Sequence, residues 1–397
     1  MSRDADVTVI GAGAAGLSLA VAIAKPFPAG RRAPRVALVE APPGPLRPPR
    51  RTWCYWESGE GPYDGLLTAS WNRLRLYAPD GTMIDRPLGD TRYKMLRSDR
   101  FEAAMLERLD EHGVEVRHMA VESARDRHSE AVVHGHDASM TPSVIRSGLV
   151  FDSRPPQRLP AARTTLVQHF QGWFVRTDRP VFDPGAAILM DFRLPQPPRG
   201  LAFGYVLPLN RYEALVEYTQ FSRAALDEVA YDQALRHYCT SVLGLGDYTV
   251  REREQGAIPM SDGVYPRRRG RRVFFIGAAG GATRPSTGYT FAAIQRQSRH
   301  LAEAVRAGRS PTRVPSVHGR RARAMDAVLL RALDTGRVDG AAFFTHLFSV
   351  VPAERVLRFL DGATSPLEDF GIGLRTPVMP MLRSLVELPL LRRSVPA

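Results

Sequence analysis

Val7-Thr8-Val9-Ile10-Gly11-Ala12-Gly13-Ala14-Ala15-Gly16 decides the fold. A short apolar, β-branched run meets glycines at G-x-G-x-x-G spacing and then enters the Ala/Leu-rich stretch Leu17 to Lys25. Gly11 permits the tight strand-to-helix turn, Gly13 lets the backbone approach a pyrophosphate, and Gly16 lets helix and strand pack closely. The free amides at the helix start, aided by its dipole, hold phosphate charge without a basic side chain. Arg35-Val36-Ala37-Leu38-Val39-Glu40 completes the signature as a second strand ending in an acid. Glu40 is placed to accept hydrogen bonds from an adenosine ribose. Strand, glycines, helix, second strand and acid together predict a dinucleotide-binding lobe.

The rest of the chain is consistent with a globular enzyme of two lobes. Its 397 residues suffice for a sizeable core, and the 44% hydrophobic and 24% charged fractions are ordinary. Two cysteines, Cys54 and Cys239, cannot build a disulfide framework, which fits a reducing cytoplasm. The ten histidines show no metal-ligand spacing, so no metal is expected. The chain enters its nucleotide strand at once, so no leader peptide is expected. No run of about twenty apolar residues offers a membrane span. A net charge of +13 raises the question of nucleic acid, but the arginines are scattered and no nucleic-acid module is present. The runs Arg267–Arg272 and Arg320–Arg323 read as solvated surface or as contacts for anionic headgroups.

Along the chain, residues 41–50 are a proline-rich connection that delivers the cluster Arg51-Thr52-Trp53-Cys54-Tyr55-Trp56-Glu57. A helix is predicted from Tyr93 to about Glu111, with Arg97 and Arg100 near its start. From about Leu166 the period changes to two, through Gln168–Val175, Ala187–Arg193, Gly204–Leu209 and Tyr212–Thr219, which predicts an antiparallel sheet. Helical sequence returns from Ser222 to about Leu243. Arg272-Val273-Phe274-Phe275-Ile276-Gly277 then reads as a buried strand running into a second glycine-rich turn, with Gly280, Gly281 and Gly288, and a helix to Arg306. Ser286 and Thr287 read as that helix's N-cap. The expected organisation is a nucleotide lobe in two parts, residues 1–165 and 251–310. A sheet domain at 166–250 lies between them, and a helical region spans 311–397.

The ordered segments resemble the p-hydroxybenzoate hydroxylase and geranylgeranyl reductase flavoprotein fold. More specifically, the chain is similar to the bacterial lycopene β-cyclases. The matching words are Arg51–Trp56, Tyr93–Ser98, Gln168–Trp173, Met190–Arg193, Leu215–Ser222, Gly256–Met260, Arg284–Tyr289 and Arg358–Gly362. The implied fold is α/β, a Rossmann-like FAD-binding domain with an antiparallel β-sheet substrate domain and a helical C-terminal tail. One departure stands out. The wider fold carries Gly-Asp in the late turn, whereas Gly277 here precedes Ala278, leaving backbone amides near Gly280 and Gly281 to serve the flavin.

The resemblance implies redox-neutral cyclisation of lycopene ends to β-rings with reduced FAD, NAD(P)H serving as reductant. The terminal double bond is protonated, the neighbouring double bond closes the ring, and a ring proton is lost. Glu217 matches the family's acidic strand residue and is the expected acid/base. Glu213, on the same face by parity, competes with it. Asp191 is either an orienting group or the partner of Arg193. Trp53, Trp56, Trp173 and Tyr218 are candidate cation-stabilising faces. Cofactor contacts are expected from Gly11, Gly13, Gly16, Glu40, Arg97, Gly277, Gly280, Gly281, Thr287 and Gly288. An apolar carotenoid implies a membrane surface and other carotenoid enzymes as partners, with the protein on the cytoplasmic face of the membrane. The pieces Val378–Leu382 and Leu385–Leu391, flanked by Arg383, Arg392 and Arg393, are candidates for docking there. The competing readings are an isoprenoid reductase or monooxygenase on the same scaffold, and a flavin-binding carotenoid carrier.

Overall fold

The computed structural model describes residues 3–27 and 32–396. The opening strand, Ala5–Ile10, lies between Val36–Glu40 and Pro142–Asp152, parallel to both. Val273–Phe275 extends this sheet beyond Pro142–Asp152, and Glu115–His118 extends it beyond Val36–Glu40. Val7, Val9 and Ile10 point to both faces and all are buried, which is why this run does not alternate. The helix Ala14–Ala24 covers one face and packs against Phe291–Arg306 in a core with Leu38, Phe101 and Phe274.

The second sheet has seven strands, in the order Tyr248–Ser261, Thr165–Thr177, Glu213–Ser222, Leu201–Pro208, Ala187–Asp191, Arg73–Tyr77 and Met83–Pro87. This corrects the expected boundaries. Two strands come from within the stretch assigned to the first nucleotide segment, and Tyr248–Ser261 crosses residue 250. The reason lies in pairing. Arg73–Tyr77 runs parallel to Ala187–Asp191, and Tyr248–Ser261 pairs along the length of Thr165–Thr177.

A third, three-stranded sheet joins the lobes, with Thr91–Arg97 between Thr52–Ser58 and Ala69–Trp71. The helix predicted from Tyr93 therefore begins only at Ser98 and runs to Glu111. Cross-strand pairing of Tyr93 with Trp56, and of Arg97 with Thr52, overrides the helical spacing. The predicted helix from Ser222 is confined to Glu228–His237 and one further turn. Beyond residue 311, the helices Arg320–Asp334, Gly340–Val350 and Ala353–Leu360 close over one face of the seven-stranded sheet.

Candidate active site

The two glycine turns meet at the start of Ala14–Ala24. Gly11 has φ +94°, and a Cβ on Gly16 would sit 1.8 Å from the Gly11 carbonyl oxygen, so both positions exclude a side chain. Around Gly13 a Cβ would meet nothing within 4 Å, and the helix start carries neither a side-chain cap nor an acid. That end is open to an anion. Glu40 stands beside it, accepting from the Ala12 amide and, at 2.9 Å, from the Ala41 amide. Ala12, Gly13 and Glu40 line a cavity of about 380 Å³ with Arg47, Arg51 and His118. Gly277, at φ +62°, brings the late turn against Ala15, and Gly281 follows at φ +77°. A Cβ on Gly280 would lie 2.3 Å from the Phe275 carbonyl oxygen.

Gly288, also left-handed at φ +71°, leaves room for the Gln168 amide, whose Oε1 would lie 2.2 Å from a Cβ there. Gln168 Oε1 and Thr287 Oγ1 are buried without hydrogen-bond partners among the described residues. The open helix start, the ribose-side acid and these orphaned polar atoms fit a dinucleotide with a polar aromatic ring system. Ser286 and Thr287 are not the N-cap expected of them, because the helix starts at Phe291, after Thr290. Instead the Ser286 hydroxyl donates to Asp326 at 2.7 Å, and Arg284 pairs with the same carboxylate at 2.9 Å, pinning the loop to Arg320–Asp334. Arg97 also departs from expectation. Its guanidinium pairs with Glu252 and lies 4.5 Å from the Phe174 ring centroid, on the seven-stranded sheet; the arginines beside Gly13 are Arg47 and Arg51. Arg100 donates to the Leu67 carbonyl at the surface.

Glu217 lies in a row across the seven-stranded sheet, opposite Gly172 on one side and Tyr205 on the other, with Glu254 beyond Gly172. Alternation sends this row toward the three-stranded sheet and the C-terminal helices. Glu217 is 8% exposed, and its carboxylate accepts from Thr219 at 2.5 Å. Burial first, and then the neighbouring Glu254, raise its pKa to about 8. A protonated, neutral carboxyl at pH 7 is what general-acid chemistry needs. Over the same face stand Tyr93, Tyr205 and Tyr289. The Tyr93 hydroxyl is 2.6 Å from that of Tyr205 and 3.1 Å from that of Tyr289. Burial holds all three phenols protonated. Trp56 meets Tyr289 edge-on at 4.5 Å between centroids.

Three expected neighbours of Glu217 face the other way. Trp173, Tyr218 and Asp191 point into the core beneath Glu228–His237, because each is one residue out of phase with the Glu217 row. Asp191 is fully buried, paired with Arg193 at 2.5 Å and accepting from Tyr238 at 3.0 Å. It is therefore the arginine partner. Trp53 is also separated from the acid. Trp53 and Tyr55 face Phe291 in the nucleotide lobe, while Cys54 and Trp56 face the sheet. Glu213, the competitor, is at the strand's outer end with Arg176. The residues missed from sequence are Glu254 and the Tyr93, Tyr205 and Tyr289 hydroxyls. The alternation of Arg251, Glu252, Arg253 and Glu254 is a signal for a strand with Glu254 and Arg253 on opposite faces, but the pairing that sets Glu254 beside Glu217 is non-local.

The family model of the lycopene cyclase proteins matches residues 6–386. This chain belongs to the lycopene cyclase family. No curated protein matches it. Among solved structures, its fold is similar to a geranylgeranyl bacteriochlorophyll reductase-like protein of Thermoplasma acidophilum, with a TM-score of 0.69 at 15% identity over 97% of this chain and 99% of that one. It is likewise similar to p-nitrophenol 4-monooxygenase of Pseudomonas putida DLL-E4, with a TM-score of 0.60 at 18% identity over 98% of each. Aklavinone-11 hydroxylase, solved with FAD and aklavinone, aligns with a TM-score of 0.54 at 18% identity over 77% of this chain and 63% of its own. The lycopene cyclase chain thus has the Rossmann-type flavoprotein fold of reductases and hydroxylases.

Proposed function

We propose that this family member is a lycopene β-cyclase. It isomerises the open ends of lycopene to β-rings, by way of γ-carotene to β-carotene, and uses FAD in its reduced form with NAD(P)H as the source of electrons. The observation that carries this reading is Glu217, a carboxyl buried among apolar and phenolic side chains with its pKa at about 8. Glycine turns at Gly11–Gly16 and Gly277–Gly281, Glu40, and the loop with Thr287 and Gly288 would hold the dinucleotide. Reduced FAD, when bound, supplies an electron-rich ring system beside a cationic intermediate. The proton for the terminal double bond comes from the Glu217 carboxyl. The neighbouring double bond then closes the ring onto the tertiary cation, and a ring C–H gives up its proton. Trp56 and Tyr289, edge-on over the same face as the acid, present aromatic surface there, where a ring face stabilises positive charge. Burial of the site keeps water from trapping the cation.

Anaerobic incubation of the flavin-loaded protein with lycopene and chemically reduced flavin, without NAD(P)H, tests the reading. β-Carotene without stoichiometric flavin oxidation is expected. A product with added hydrogen or oxygen would instead make the chain a reductase or monooxygenase, the chemistry of its structural neighbours.

A bilayer-dissolved substrate also places the enzyme, in this reading, on the cytoplasmic face of the membrane. Among the described residues no helix is long and apolar enough to cross a membrane. The helix Val378–Glu387 supports surface docking because it is packed inside out. Its buried side carries Ser384, and Glu387 is bound to Arg331 and Arg337. Val378, Met379, Leu382, Leu385 and Val386 are exposed along one stripe. Arg383 and Arg392 flank it without carboxylate partners among the described residues, which complements anionic headgroups. Flotation with phosphatidylglycerol vesicles should be lost in Leu382→Ser/Val386→Ser, and binding equal to wild type would remove this surface from the reading.

A further inference from the structure

We infer that Glu254 is the second catalytic carboxyl of this site, the base that takes the ring proton after Glu217 has given up its own. The inference rests on the cyclase reading, and it begins from a missing side chain. Gly172 lies between the two acids in the sheet, opposite both. A Cβ there would be 3.4 Å from Glu254 Cγ and 3.6 Å from Glu217 Cβ, so the two side-chain stems flank bare backbone on one face. Both glutamates are 8% exposed. Two carboxyls this near one another in a buried setting do not both ionise readily, and they divide acid and base roles according to their surroundings.

Those surroundings differ. Glu217 has Thr219 as its hydrogen-bond donor and otherwise feels Glu254; Cys54, Tyr205 and Tyr289, the titratable groups opposite, are neutral below their raised pKa values. Glu254 accepts from the Thr52 hydroxyl at 2.7 Å and feels the positive charge of Arg97, itself shared with Glu252. Burial raises Glu254 too, and Glu252 adds to that rise, but Thr52 and Arg97, the larger of these neighbouring influences, both oppose it. The proton of the pair therefore belongs on Glu217 and the negative charge on Glu254.

In the reaction, the O–H bond of Glu217 breaks as a C–H bond forms at the terminal alkene carbon. After ring closure, a ring C–H bond breaks, its electrons form the ring double bond, and its proton goes to the Glu254 carboxylate. The carotenoid is isomerised with no net gain or loss. One proton has moved from Glu217 to Glu254, and its return between the two carboxyls resets the site without an outside acid.

The test combines pH–rate profiles of lycopene cyclisation with infrared titration of the buried carboxyl C=O band in the flavin-loaded protein, the latter without carotenoid. Wild type should give a bell, with the acid limb set by ionisation of Glu254 and the alkaline limb by deprotonation of Glu217. Glu254→Gln should lower kcat about 100-fold with little change in KM and abolish the acid limb. It should also move the Glu217 carboxyl titration about one pH unit lower, because a like charge has been removed. Glu254→Asp should regain part of the rate and the acid limb. Turnover within threefold of wild type in Glu254→Gln, with the acid limb kept, overturns the assignment. An unmoved Glu217 titration overturns the pairing on which it stands. If the titration moves but wild type forms no cyclic carotenoid, the cyclase reading and the proton-acceptor role fail together, while the coupled pair stands.

Discussion

On one face of the seven-stranded sheet, Asp191 is fully buried against Arg193 and Tyr238. On the opposite face, Glu217 is buried with no ion pair among the described residues. The two acids belong to strands of the same sheet and share its apolar surroundings, yet their chemistry diverges. A guanidinium and a phenol hydroxyl satisfy Asp191 as a carboxylate and make it part of the scaffold. Glu217 has a threonine hydroxyl and a second carboxyl, so burial works to keep its proton on. Depth alone does not keep a carboxyl protonated; the missing counter-charge does.

Exchanging each acid for its amide should separate these roles most sharply. Glu217→Gln is expected to lower turnover by 10³-fold or more while flavin binding persists. Asp191→Asn should leave the pH profile in place and reduce stability instead. Breaking a buried pair costs about 3–5 kcal/mol, discounted here to about 2–3 because Arg193 is partly exposed. Denaturant unfolding and steady-state rates distinguish the two, and a large kinetic loss in Asp191→Asn with unchanged stability would reverse the comparison.

The same variants differ in how stability follows pH. The folded-state pKa of Glu217 lies above its ordinary value of 4.5, at about 8. The native state thus retains a proton that the unfolded chain releases. Stability is fully present below about pH 4.5 and declines as pH rises through about 8, where the fold must accept a buried charge. Glu217→Gln removes that cost. It should be more stable than wild type at pH 9, by on the order of 5 kcal/mol, and nearly equal to it at pH 4.5. An equal difference at both pH values would mean that the carboxyl does not hold its proton in the fold.

The tryptophans extend the comparison to the aromatic groups. Trp56 lies over the Glu217 face against Tyr289, whereas Trp173 is 1% exposed in the core on the Asp191 face. Trp56→Leu should lower kcat about tenfold through loss of a desolvated ring face near the cation, with a small change in stability. Trp173→Leu should cost about 2–4 kcal/mol of stability and leave kcat unchanged. Measuring both properties in both variants prevents a folding defect from passing as a catalytic one.

Much of this arrangement is legible along the chain because it is local. Gly11 and Gly16 are dictated by the turn they make, and Glu217 lies on an alternating strand within a recognisable family word. Facing is harder to read. Trp53 and Trp56 are three residues apart on one strand and therefore on opposite sides, one toward Phe291 and the other toward Tyr289. Reading the aromatic cluster as a unit joined what the pleat separates. Tyr218 follows Glu217 along one strand, and Trp173 pairs with Val216 on the next, so both fall on the other face from the acid. Tyr93 looked helical because its spacing to Leu96, Arg100 and Phe101 suits a helix, but pairing with Trp56 decides its state. Glu254 was hidden in the alternation of Arg251, Glu252, Arg253 and Glu254, and its importance comes from Gly172, some eighty residues earlier.

Tyr218 gives the finest test of facing. It is next to the acid in sequence, its ring is 7% exposed, and its hydroxyl donates to Gln220 at 2.9 Å in the core under Glu228–His237. If its aromatic face or hydroxyl served the cation, Tyr218→Phe would alter the rate or the pH profile. The geometry predicts neither, because the polypeptide of its own strand separates it from the Glu217 row. Only the single hydrogen bond is lost, worth about 1 kcal/mol or less once competition with water is counted. Thermal unfolding should register that small decrease while kcat and the alkaline limb stay at wild-type values. A shifted alkaline limb in this variant would mean that Tyr218 reaches Glu217, and the separation of the two faces would have to be redrawn.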